Sequence, residues 1–288
     1  MSAAQALRSM TVTRATGAAE SRACDDLVAV EEPLEIRVAG RSVAVVMRTP
    51  GHDRELAAGF LVTEGIVRRR DEVLDMVYCA SAKPTGETPV PRGMGVPPMS
   101  DAPRENILDV LLAPGAKVDL ARLTRHVFTS SSCGICSKAS IGAVRAQFPA
   151  ITRTLAPRRD VLTALPAKLR AAQAGFAATG GLHASALFTS DGELELVRED
   201  VGRHNALDKV IGHAFFAETL PLEGRILLVS GRVSFELMQK ALAAGIPCVA
   251  AISAPTSAAV EFAQASGQTL VGFLREGRMN VYAGTLAE

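Results

Sequence analysis

Two cysteines three positions apart, Cys133 and Cys136, lie in the stretch TSSSCGICSKAS, residues 129–140. Thiols at that spacing hold a metal, cycle between dithiol and disulfide, or carry a sulfur atom as a persulfide. Zinc usually asks for four ligands, and neither a second such pair nor closely spaced histidines accompany this one. A redox dithiol expects a βαβ setting, and only the short apolar stub Val127-Phe128 precedes the motif. A sulfur carrier needs an accessible cysteine with thiolate character, in a polar loop near a cation or a helix start. Ser130 to Ser132, Gly134, Lys138 and the helix-like opening of KASIGAVRAQF supply those features. The fourth reading is an exposed loop with incidental cysteines, and spacing alone leaves all four open.

Three further stretches have residue types suited to chemistry. Glu199-Asp-Val-Gly-Arg-His-Asn-Ala-Leu-Asp-Lys209 opens a helix on which His204 and Asp208, four apart, share a face. They form either a proton-transferring pair or part of a capping and salt-bridge network. Ser230-Gly-Arg-Val-Ser234 joins a strand end to a helix start, where Ser230, Gly231 and Arg232 suit a phosphate, or simply an ordinary polar loop. Phe273-Leu-Arg-Glu-Gly-Arg278 ends another strand, and Arg275 and Arg278 are either phosphate-gripping forks or solvated turn residues.

The elements that must position these residues follow from periodicity. Residues 1–25 show no clear pattern and are expected to be a flexible tail. Leu34, Ile36 and Val38, a turn at Gly40, then Val43, Val45 and Met47 make a hairpin. Asp53 is placed to cap a helix carrying Leu56, Phe60 and Leu61. A strand is expected over Val73–Cys79 and a Pro- and Gly-rich surface insertion over residues 81–104. Further on, strands at 183–188, 194–197, 225–229, 248–252 and 269–274 alternate with helices. That rhythm predicts a layered α/β domain over residues 129–288 with a largely parallel sheet, after a β-rich part over residues 26–128. Ligands of such sheets bind at the carboxyl ends of strands.

The 288 residues are 48% hydrophobic, enough for a sizeable core, and carry a formal net charge of +1. No broad field favours nucleic acid or an anionic membrane, so any anion must meet a local site. Five scattered cysteines do not make a disulfide framework. Without a signal-like segment or a membrane-length apolar run, a cytoplasmic location is expected, where thiols stay reduced.

Taken in order, the segments EPLEIRVAGRSVAVVMRTPGHDRELAAGFLVTEGIV, SSSCGICSKAS, GGLHASALF, EDVGRHNALDKVIG, LLVSGRVSFELMQKA, ISAPTSAAVEFA and GFLREGRMNVY resemble the formate dehydrogenase accessory sulfurtransferase family (FdhD). The likeness runs from about Glu32 to about Gly284. It implies a protein that takes sulfur from a cysteine desulfurase as a persulfide on Cys133, with Cys136 as partner thiol. The acceptor it implies is the molybdenum (or tungsten) bis-molybdopterin guanine dinucleotide cofactor of a formate dehydrogenase catalytic subunit. Phe273, Leu274, Arg275, Glu276, Gly277 and Arg278 match the family's cofactor-binding segment, with no resident metal. The resemblance further implies a homodimer and an α/β/α fold similar to cytidine deaminase. Deamination itself is rejected: His183-Ala-Ser185 has serine where that chemistry needs glutamate, and the CxxC comes before it rather than after. Ser137 departs from the glycine common after the second cysteine. An insertion chaperone that binds the cofactor without sulfur chemistry is the competing function.

Overall fold

The structure is a computed structural model and describes residues 6–16, 20–79, 106–116, 118 and 148–287. The elements run β1 (Leu7–Thr16), β2 (Glu20–Ala29), β3 (Glu32–Val38), β4 (Arg41–Arg48), α1 (Asp53–Thr63), β5 (Val73–Tyr78) and β6 (Ile107–Leu112). After these come α2 (Arg159–Ala172), α3 (Ala174–Thr179), β7 (His183–Thr189), β8 (Leu194–Asp200), α4 (Arg203–Phe216), β9 (Arg225–Val229) and α5 (Phe235–Ala243). The chain closes with β10 (Cys248–Ala251), α6 (Ser257–Ser266), β11 (Thr269–Arg275) and β12 (Arg278–Ala283). Cys133, Cys136, the 81–104 insertion and the stub Val127-Phe128 lie outside the described residues.

Alternation in β3 turns Leu34, Ile36 and Val38 inward, each fully buried. Ala39 and Gly40, both at positive φ, reverse the chain into β4 as a tight hairpin needs. β6 joins β3 in parallel and β5 closes on β6, giving a four-stranded sheet in the order β4-β3-β6-β5. The expected capping role of Asp53 is not what the structure shows. His52, at positive φ, is the residue before α1 and makes no side-chain cap. Asp53 instead takes two hydrogen bonds from the buried Arg48, at 3.1 and 2.9 Å, because an unpaired guanidinium at that depth would be costly.

The second sheet has six strands in the order β12-β11-β10-β9-β7-β8. It is mixed rather than largely parallel: β9, β10 and β11 run together, while β7, β8 and β12 pair antiparallel. The reason lies in the connections. Helices link β9 to β10 and β10 to β11, whereas short turns follow β7 and β11 and force reversal. On one face α2 packs Leu162, Leu165 and Leu169 against Ala186, Phe188, Leu228 and Ala250. On the other, α4, α5 and α6 pack Leu207, Ile211, Met238 and Phe262 against Leu227, Val229 and Val249. This is the expected α/β/α layering.

The same core continues through α1 into the four-stranded sheet. α1 and α4 touch backbone to backbone. A Cβ on Gly59 would lie 1.9 Å from the Asp208 carbonyl oxygen, and one on Gly212 would lie 1.8 Å from that of Glu55. Only glycine permits the approach. Where residues 1–25 were expected to be a tail, β1 and β2 pair antiparallel from Leu7↔Ala29 to Thr16↔Glu20. The described side chains of this ribbon are exposed over most of its length.

Candidate functional site

The parallel strands β9, β10 and β11 end along one edge of the six-stranded sheet. β8 ends there too, and β7 and β12, running the other way, begin there. The loops 201–202, 230–234, 252–256 and 276–277 therefore meet along this edge, and α4, α5 and α6 start from it. The loops are tied together. Val233 and Pro255 form a bridge, the Val233 amide donates to the Ala254 carbonyl at 3.1 Å, and the Phe273 amide donates to the Ser253 carbonyl at 3.1 Å. Thr256 caps α6 by accepting from the Ala259 amide at 3.3 Å.

At one end of this edge β11 turns into β12 through Glu276-Gly277, with Gly277 at positive φ. A bulge between Gly272 and Arg275 interrupts the ladder, and Phe273 sits there at φ 51°, unusual for a residue with a side chain. Its ring is 44% exposed in spite of its apolar character. Phe273, Arg275, Arg278, Met279 and Asn280 line a cavity of about 300 Å³. Arg275 donates to the Ile252 carbonyl and to that of Leu274 at 3.0 Å, which leaves its remaining donors to face solvent. Arg278 is exposed and meets no described carboxylate. Leu274 is different: its side chain is fully buried in the core beneath α2, so only its backbone is available to a ligand.

Near the middle, Ser230 accepts a hydrogen bond from the Ala184 amide at 2.9 Å, which fixes the start of the loop. Gly231 lies against the His183 ring, and Arg232 is exposed. At the far end stands the start of α4. Here Asp200 is fully buried and accepts from the Thr49 amide (3.1 Å), the Gly202 amide (2.8 Å) and Asn205 (2.9 Å), while pairing with Lys209 at 2.7 Å. Lys209 also donates to the Thr49 carbonyl at 2.9 Å, locking the β4–α1 loop to the β8–α4 loop.

Of the two readings that the sequence leaves open for His204 and Asp208, a proton-transferring pair or a salt-bridge network, the pair does not form. Asp208 pairs with Lys240 of α5 at 2.8 Å and accepts from Thr63 of α1 at 3.1 Å. Burial works against the Lys240 charge, yet Asp208 holds its pKa above the ordinary lysine value. His204 instead faces Glu236 at 3.3 Å and Ser234 at 3.4 Å. Burial, then the charges of Lys240 and Arg203, push its pKa down to about 3. His204 is thus a neutral imidazole near neutral pH. The network reading of this stretch holds for Asp208 and Lys209. The Arg203 Nε is buried and, among the described residues, without a hydrogen-bond partner, as is the Ser185 hydroxyl. Sequence reasoning gave neither a site role, because such isolation is visible only once the fold is built.

Among the described residues no group of histidine, cysteine and carboxylate side chains is arranged to hold a metal, and no helix is long and apolar enough to cross a membrane. Cys248, in β10, is buried and its thiol is pushed up to about 12 by that burial alone, the inert thiol expected of an apolar strand.

Comparison with known proteins gives a consistent result. The family model described as FdhD/NarQ matches residues 29–287. The sulfur carrier protein FdhD of Streptomyces avermitilis is 51% identical over 276 residues, covering 95% of this chain and 92% of that one. The protein of the same name from Mycobacterium tuberculosis is 52% identical over 259 residues, covering 89% and 90%. A crystal structure from Desulfotalea psychrophila, described as a formate dehydrogenase accessory protein, superposes with a TM-score of 0.72 at 21% identity, covering 97% and 98%. At that identity the superposition speaks for the fold.

Proposed function

The chain belongs to the FdhD/NarQ family, and from that membership we propose that it carries sulfur for the maturation of a formate dehydrogenase. Cys133 is the carrier thiol. Its thiolate attacks the terminal sulfur of a cysteine desulfurase persulfide, forming one S–S bond while the old one breaks and the desulfurase thiolate leaves. Cys136, three residues on, is the partner thiol. The sulfur acceptor is the molybdenum (or tungsten) bis-molybdopterin guanine dinucleotide, handled as substrate and passed on to the formate dehydrogenase catalytic subunit. In this reading the protein works as a homodimer.

The observation that carries the proposal is the cavity at Phe273–Arg278 in a chain whose relatives are named sulfur carriers. An exposed aromatic ring offers a stacking face for a planar base, and two exposed arginines suit the phosphates of a dinucleotide. An overall near-neutral chain can bind so anionic a molecule only through a local cluster of this kind.

The test is intact-protein mass spectrometry after incubation with a cysteine desulfurase and cysteine, comparing wild type with Cys133→Ala. A gain of about one sulfur atom in wild type that the variant lacks supports the carrier role. No gain in wild type, or an equal gain in Cys133→Ala, removes it. The competing insertion chaperone predicts that Cys133→Ala still yields active formate dehydrogenase.

A further inference from the structure

We propose that His183, Arg203 and Gly231 form a second anion subsite, for an oxyanion of the phosphate class, separate from the Phe273–Arg278 cavity. The inference deepens the proposed substrate reading, since an extended polyanion is what would reach both places. β9, which leads to Gly231, lies two strand spacings from β11, and β7, which begins at His183, lies three. At about 4.8 Å per spacing the two anion-binding regions are ~10–14 Å apart.

Three features at this corner need a common explanation. Gly231 is not at positive φ, so its backbone does not demand glycine. A Cβ there would stand 3.2 Å from the His183 Nδ1, tight enough to push the ring by a few tenths of an ångström, and 3.9 Å from the Arg203 Cδ, an ordinary contact. The absent side chain leaves the ground beside the imidazole and the Arg203 side chain open. Next, the Arg203 Nε is buried with no acceptor among the described residues, a donor of fixed direction and permanent charge left unused. Finally, the Ser185 hydroxyl, 1% exposed and also unpartnered, lies on β7 two residues from His183 and so on the same face of the sheet.

The local charges favour an anion. Of the nearby carboxylates, Asp200 is occupied by Lys209, Thr49, Gly202 and Asn205, and Glu236 faces His204. Arg232 is exposed on the same loop. Burial, then the Arg203 charge, lowers the His183 pKa, so the ring stays neutral near pH 7 and offers one N–H. Its ring makes no hydrogen bond with a described residue that would occupy that donor.

The experiment is calorimetric titration of inorganic pyrophosphate into protein saturated with guanosine diphosphate, using wild type, Arg203→Gln and Gly231→Val. The loaded wild type should bind pyrophosphate, and both variants should bind it at least about tenfold more weakly. Affinity for guanosine diphosphate should stay within about twofold between wild type and Arg203→Gln. Wild type that takes up no pyrophosphate once loaded, or Arg203→Gln that binds it like wild type, overturns the subsite. If Gly231→Val fails to fold by circular dichroism, Arg203→Gln and Arg203→Lys decide the matter, the latter retaining part of the affinity. If wild type fails to bind guanosine diphosphate, the hairpin reading falls. Pyrophosphate titrated alone into wild type and Arg203→Gln then still judges this corner.

Discussion

Around the start of α4, Asp200 and Lys209 meet at 2.7 Å, and Asp208 and Lys240 at 2.8 Å, all four almost wholly buried. At the β11–β12 turn, Arg275 and Arg278 stand exposed beside an exposed phenylalanine, and no described carboxylate neutralises Arg278. Both regions border the same sheet edge and are rich in charge. Partners and burial, not residue type, separate scaffold from site. A buried charge with a matched counter-charge fixes helices in register, and an exposed one without a partner keeps its free energy of interaction for a ligand.

The sharpest way to break this comparison is to remove one charge from each region. Asp208→Ala leaves the Lys240 ammonium buried beside the Thr63 hydroxyl without the carboxylate that pairs with it. Breaking a buried pair from one side costs ~3–5 kcal/mol. For a chain of this size the melting temperature should fall by about 2–4 °C for each kcal/mol. Arg278→Ala, by contrast, should melt like wild type. If calorimetry finds Asp208→Ala as stable as wild type, the α1–α4–α5 seam is not a scaffold held by its buried charges.

A smaller effect tests the same seam through pH. Unfolded, His204 takes up a proton near its ordinary value, about 6.5. Folded, it resists protonation until about pH 3. Between those values the unfolded state holds a proton that the folded state lacks, so stability is full above about pH 6.5 and is lost as pH falls. This one group should remove up to ~1.4 kcal/mol per pH unit in that window. Urea midpoints of wild type and His204→Gln at pH 7 and pH 5 check it. The variant should lose less stability than wild type over that interval, and parallel losses would show that His204 is accessible to protons in the native state.

How much of this was legible in the sequence differs between the two regions for the same physical reason. The strands and helices from 183 to 275 announced themselves because buried apolar runs and one-sided helical faces are local signals. β1 and β2 gave no such signal: Met10, Thr13, Arg14 and Arg22 are exposed, and the ribbon lacks an apolar face with period two. Arg275 and Arg278 were legible as candidates since a turn and two arginines are neighbours in sequence. The Asp200–Thr49 and Lys240–Thr63 contacts span 151 and 177 residues. No local pattern foretells them, so the shared helix face of His204 and Asp208 leaves pair and network equally open, and only the partners on other elements, Lys240 for Asp208 and Glu236 for His204, decide for the network.

The smallest expected effect bears on the exposed side of the comparison, at Phe273. Its left-handed backbone costs of order 1 kcal/mol or more, and a ring 44% exposed recovers little of that by burial. Phe273→Gly relieves the strain but adds freedom to the unfolded chain, worth about 0.4–1 kcal/mol the other way. The two nearly cancel, and urea unfolding should find a change below about 1 kcal/mol. Binding should respond differently, because stacking of a base on an aromatic ring contributes ~1–3 kcal/mol. Guanosine diphosphate should therefore bind Phe273→Gly about tenfold or more weakly while the fold stands unchanged. The opposite pattern, lost stability with unaltered nucleotide affinity, would make Phe273 a packing residue and move it to the scaffold side of the division.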